Sequence, residues 1–292
     1  MGAPELERGF VDRRHFGPRP LLAQPVRASR EPLHVDQVVG IAVHVKTVHP
    51  SSIPGSLFAA LGDSAGGARE SGVPVYCVRH GQSVANAGGL TMEHAAIPLS
   101  PLGLAQAAAL PSVLDVKPSL VLVSSYRRAL ETAEPFCARH ASLPEIHPLL
   151  HEFSALDANQ LLGMGGAERR PLADAYWQAC DPALRSGPGA ETFFEFDARV
   201  EAFATTLPSL PDGSVLFGHG IWFALLFWKL GGGDAIVTSR GMAAFRRFQL
   251  VLPMPNCAVF ALELQPGGQW SARADARVRH AMEYVQPLEA ST

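Results

Sequence analysis

The chain has 292 residues, 24 of them Lys or Arg and 27 Asp or Glu, with a formal net charge of -3 and 47% hydrophobic residues. That composition excludes a wholly disordered chain, which is poorer in apolar residues and richer in net charge. The charge argues against a general nucleic-acid binder, which carries a basic footprint, but leaves room for a small basic pocket.

Residues 1–72 are rich in Pro, Arg, Gly and Ser. They read as an N-terminal extension, largely disordered, with a strand-like stretch at Val38–Val48 and a flexible linker at Ser64–Gly72. His44 and His49 have no third ligand at useful spacing, so no metal site is read there. The four cysteines are scattered, which makes a reducing compartment the default and the cytoplasm the expected location. No apolar run is long enough to span a membrane, and no signal-peptide core is visible at the N-terminus.

From Val73 onward the pattern becomes regular, and residues 73–292 read as one domain. Val75–Val78 is a buried strand. Ser100 and Pro101 cap and open a helix. Leu120–Val123 is a second strand. Tyr126–Arg139 is a helix with Ala129, Ala133 and Phe136 on one face. Glu191–Leu207 is another, with Phe193, Phe196, Val200 and Phe203 at spacings of three and four. Ser214–Phe217 is a third strand, Ile221–Leu230 a helix, and Cys257–Leu264 a further strand. Such alternation predicts an α/β fold with a largely parallel sheet.

Four places carry chemistry. Arg79 and His80 stand where the first strand ends, the usual position for active groups in open α/β sheets. The Arg79 fork suits a phosphoryl group, and a neutral His80 imidazole is a candidate nucleophile. Gly81 would let backbone approach a ligand, and Gln82, Ser83 and Asn86 add polar groups. Arg127 and Arg128 open the second helix, where unpaired cations oppose the macrodipole and want an anion. The rival reading is a solvated pair, or Arg128 paired to Glu131 or Glu134. His219 and Gly220 repeat the strand–His–Gly–helix arrangement, next to a helix N-terminus that favours anions. Glu152, flanked by Leu149, Leu150 and Phe153, sits among apolar residues that can raise a carboxyl pKa and fit it for general acid work.

Together these segments resemble the histidine phosphatase superfamily, the phosphoglycerate-mutase-like proteins. Arg79-His80-Gly81-Gln82-Ser83 matches the R-H-G-[EQ]-[ST] signature, with Asn86 beyond it. Leu99–Ala107 matches the L-[ST]-x-x-G-x-x-Q-A opening. Ser124–Ala133 matches S-x-x-x-R-A-x-x-T-A, which selects Arg128 over Arg127. Ala190-Glu191-Thr192 is similar to G-E-[ST], and His219-Gly220 matches the late H-G. The matches fall in family order across about two-thirds of the chain.

The resemblance implies a three-layer α/β/α sandwich with a mostly parallel central sheet. It implies phosphoryl transfer through a phosphohistidine on His80, with Glu152 as acid and then base. Arg79, Arg128 and a partly protonated His219 would hold the phosphoryl oxygens, with Gly81, Gln82, Ser83, Asn86 and Gly220 around them. No cofactor or metal is implied, and the expected partner is a small phosphorylated substrate, with a homodimer left open. Cofactor-dependent mutases of this family carry a long basic insertion between the acid and the second His. The short interval from Glu152 to His219 favours the phosphatase branch, although Arg169, Arg170 and Arg185 could bind a second anion. A module that only binds phosphorylated proteins is the third reading, and the intact His80, Glu152 and His219 count against it.

Overall fold

A computed structural model describes residues 72–233 and 237–287. The extension read over residues 1–72 lies outside these but for Gly72, as do His44 and His49.

The described residues form a six-stranded sheet of order β3-β2-β4-β1-β5-β6. The strands are β1 (Val75–Arg79), β2 (Val121–Val123), β3 (Glu145–Ile146), β4 (Val215–Gly218), β5 (Val259–Leu264) and β6 (Trp270–Ala274). The pairings of β3 with β2, β2 with β4, and β4 with β1 are parallel. β5 pairs antiparallel with both β1 and β6. The sheet is thus mostly parallel with an antiparallel edge, a common form of doubly wound sheet.

Strand side chains alternate between two cores. Val75 and Cys77 of β1, Leu216 of β4 and Leu262 of β5 join one. Val78, Val215, Phe217 and Val259 join the other. The second core is closed by α1 (Pro101–Val113), α2 (Arg127–His140) and α8 (Ala276–Glu283). The first is closed by α4 (Gly166–Ala179), α5 (Phe193–Ala204), α6 (Gly220–Leu230) and α7 (Ser239–Val251), while the short α3 (Ala158–Leu161) lies between β3 and α4 in sequence. Helices cover both faces, so the three-layer sandwich is present.

The local signals explain the helices. Ser100 accepts from Gly103 N and caps α1. Thr192 and Glu195 form a capping box that starts α5 at Phe193, two residues later than the pattern suggests. Phe193, Phe196, Val200 and Phe203 are fully buried along one stripe of α5. Burial of each contributes about 1.5–3 kcal/mol.

Candidate active site

The site is built at the carboxyl ends of β1, β2 and β4. β1 delivers Arg79 and His80 to a loop that runs to α1. His80 N donates to Gly218 O of β4 at 3.0 Å, tying the first corner to the second. His80 Nδ1 lies 2.6 Å from the Gly81 carbonyl. A carbonyl only accepts, so Nδ1 carries the hydrogen and Nε2 keeps its lone pair. Arg128 Nε donates to that Nε2 at 3.2 Å. Burial, then the charges of Arg128 and Arg79, hold the imidazole pKa well below its ordinary value. The ring is therefore neutral, as a nucleophile requires.

Arg79 donates to the Met254 carbonyl, while its Nε is buried without a hydrogen-bond partner. A side chain at Gly220 would press on that nitrogen, its Cβ standing 3.3 Å away. Arg128 is buried at the start of α2 and donates to the His94 carbonyl at 2.8 Å. Tyr126 stacks against its guanidinium at 4.9 Å. Arg127 faces solvent and pairs with Glu131 at 2.6 Å. The choice of Arg128 over Arg127 thus agrees with the geometry, and the expected rival pairing belongs to the other arginine.

At the second corner β4 passes straight into α6, with His219 at the N-cap. The His219 ring is fully buried, 5.2 Å from the His80 ring between centroids. Its Nε2 lies 2.7 Å from Ser124 Oγ, and its Nδ1 has no partner. Burial, followed by the charge of Arg128, drives its pKa well below the ordinary value. In the ligand-free protein two guanidinium groups and a dry setting oppose a charge on His219, so the partial protonation expected of it rests on a bound phosphate.

Glu152 also departs from expectation. Its carboxylate accepts from the backbone N–H groups of Ile221 (3.1 Å), Trp222 (3.0 Å) and Phe153 (2.9 Å). It is held at the N-terminus of α6 rather than in an apolar setting. Arg199, which no motif singles out, braces this loop. It donates to the carbonyls of Leu149 (2.8 Å) and His151 (2.7 Å) and pairs with Glu191 at 2.8 Å. The G-E-[ST]-like segment signals Glu191, but nothing local ties Arg199 to it.

Arg79, His80, Ser83, Asn86, Arg128, Glu152 and Gly220 line one cavity of about 400 Å³. His219 sits behind its wall. Gly81 and Gln82, also expected near the ligand, are not among the residues that line it. A Cβ at Gly81 would stand 2.7 Å from the Gly103 carbonyl oxygen, so this glycine admits the close approach of α1. The Gln82 side chain accepts from Ser100 Oγ at 2.8 Å, inside the scaffold. Asn256, likewise without a sequence signal, donates to His80 O (3.2 Å) and Asn86 Oδ1 (3.1 Å). Among the described residues no group of three His, Cys, Asp or Glu side chains is placed to hold a metal ion. No helix of the described residues is long and apolar enough to cross a membrane.

The chain is similar to known proteins. A family model described as the histidine phosphatase superfamily (branch 1) matches residues 75–276. An adenosylcobalamin/alpha-ribazole phosphatase of Salmonella typhi is 32% identical over 143 residues, which is 47% of this chain and 68% of that protein. The solved mycobacterial glucosyl-3-phosphoglycerate phosphatase superposes with a TM-score of 0.53 at 23% identity, covering 70% of this chain and 98% of its own. The alpha-ribazole phosphatase of Shigella flexneri superposes with a TM-score of 0.54 at 24% identity, covering 69% and 95%. At those identities the two structures speak for the fold.

Proposed function

The chain belongs to the histidine phosphatase superfamily, branch 1, and from that premise we propose that it hydrolyses a small phosphorylated metabolite through a phosphohistidine on His80. The observation that carries this reading is the His80 ring itself: neutral, with its Nε2 lone pair directed to Arg128 in a cavity lined by Arg79 and Glu152.

In the first step the Nε2 lone pair forms a bond to phosphorus as the bond to the leaving oxygen breaks. Glu152, entering the step as the carboxylic acid, passes its proton to that oxygen, releasing the alcohol and leaving a carboxylate. Water then attacks phosphorus, Glu152 takes its proton, and the N–P electrons return to Nε2. Arg79 and Arg128 hold the phosphoryl oxygens, and their fixed charges stabilise the transition state. The Arg79 Nε and the His219 Nδ1, both buried and unpartnered, are further donors once a dianion makes protonation of His219 favourable. Ser83, Asn86 and Gly220 complete the phosphoryl end.

Hydrolase is favoured over mutase by what occupies the three arginines that could have gripped a second anion. Arg169 is engaged by the oxygens of Ala85, Gly89, Thr91 and Met164. Arg185 is taken up by Ala190 O and Glu195, and Arg170 is exposed and outside the cavity lining. The test is phosphate release from an aryl phosphate in excess chelator. Turnover by the wild type, lost in His80→Ala, is the expected result; an inert wild type, or isomerisation of phosphoglycerate faster than hydrolysis, contradicts the reading.

A further inference from the structure

The cavity is lined by side chains of two kinds. Arg79 and Arg128 are its only cationic lining side chains among the described residues, and Arg128 donates to His80. The rest of the wall is formed by Ile97, Ile221, Ala224, Leu250, Leu252 and Met254. The last three come from the end of α7 and the segment after it. That segment is fixed to the reacting end, because Met254 O accepts from Arg79 and Asn256 donates to His80 O and Asn86 Oδ1. The apolar wall therefore stands at a set distance from the phosphoryl group. Its one polar member is Gln249, whose Oε1 accepts from Arg246. Arg246 is in turn stacked on Trp177 at 4.6 Å. With Arg246 on its oxygen, Gln249 has both amide N–H groups left to donate.

An apolar wall with one neutral donor discriminates by charge. A carboxylate or second phosphate placed there meets no cation among the lining side chains, Arg246 being engaged with Gln249 and Trp177, whereas an alkyl or aromatic group gains by burial. Resting on the hydrolase reading above, we propose that the substrate is a phosphate monoester of an uncharged, largely apolar alcohol with no second anionic group, and that Leu250, Leu252 and Met254 select it. The cavity, about 400 Å³, falls within the ~300–1,000 Å³ usual for small-molecule sites.

The test compares benzyl phosphate with 4-carboxybenzyl phosphate, esters that share the same type of leaving oxygen. In the wild type kcat/KM for the benzyl ester exceeds that for its carboxylate counterpart by roughly 10- to 100-fold. In Leu250→Arg the ratio narrows by about fivefold, mostly through KM for the carboxylate ester, as expected of a partly exposed charge pair. Leu250 is 64% exposed, so the substitution leaves the core intact. Equal or better use of the carboxylate ester, or a ratio that Leu250→Arg does not move, overturns the proposal while phosphatase activity stands. Failure to release phosphate from either ester and from an aryl phosphate overturns the hydrolase reading, and this proposal with it.

Discussion

Two corners of the sheet carry the same short pattern of strand, His and Gly, yet the fold uses them differently. At the first, β1 runs into a loop that precedes α1, and His80 lines the cavity. At the second, β4 passes at once into α6, and His219 is sealed behind the wall with an unpartnered Nδ1. The loop after β1 gives His80 a carbonyl that sets its tautomer, and Arg128 at the start of α2 donates to its other ring nitrogen. The direct turn after β4 gives its histidine a helix start and places Glu152 on the first N–H groups of the same helix. In the proposed mechanism one corner presents the reacting atom, and the other supplies charge stabilisation beside it. The difference lies in the element after the glycine, a loop in one case and a helix in the other, which a motif does not record.

That contrast can be broken first by substitution. If His219 only stabilises charge, His219→Asn lowers kcat by about 10²–10³-fold, the range for loss of one such donor. Steady-state kinetics on an aryl phosphate measures this. A loss as complete as that of His80→Ala would place His219 in the covalent step and collapse the distinction.

The first corner depends on close contact with α1. A Cβ on Gly103 would stand 2.0 Å from the Gln82 carbonyl oxygen, which is backbone and cannot swing aside. Gly103→Ala is expected to cost about 1–3 kcal/mol of stability, as overpacking does. Urea denaturation reads the value directly. An unchanged midpoint would mean that α1 does not fix the Gln82 turn.

The smallest effect is on pH dependence. Both rings are neutral in the folded protein because burial holds their pKa values well below the ordinary one. The unfolded chain binds protons on them below a pH of about 6.5, so stability falls as pH drops through that value and is flat in this respect above it. The urea midpoint should decline between pH 7 and pH 5, less steeply in His219→Asn. A midpoint that rises on acidification would contradict buried neutral histidines.

Much of this is legible in the chain. The capping pair Ser100 and Pro101, the Phe stripe of α5 and the strands β1, β2 and β4 are set by local pattern. So is the choice of Arg128, because its motif position separates it from its neighbour. The features that are not legible depend on distant contacts. β5 reads as a strand, but its antiparallel pairing with β1 does not. α7 does not stand out as an element, and its last turn and the residues after it form the far wall of the cavity. Arg199 acts through two carbonyls and Glu191, a relation no local spacing announces. Gly81 and Gln82 adjoin His80 in sequence, but their contacts with Gly103 and Ser100 at the start of α1 carry no local signal.

The central claim is that His80 carries the phosphoryl group. Rapid quench in alkali of enzyme mixed with a ³²P-labelled ester tests it, with acid treatment and mapping of the labelled peptide afterwards. The account predicts an alkali-stable, acid-labile phosphohistidine on the peptide containing His80, absent in His80→Ala and still formed, more slowly, in His219→Asn. Turnover without any labelled enzyme, or label that persists in His80→Ala, would contradict it.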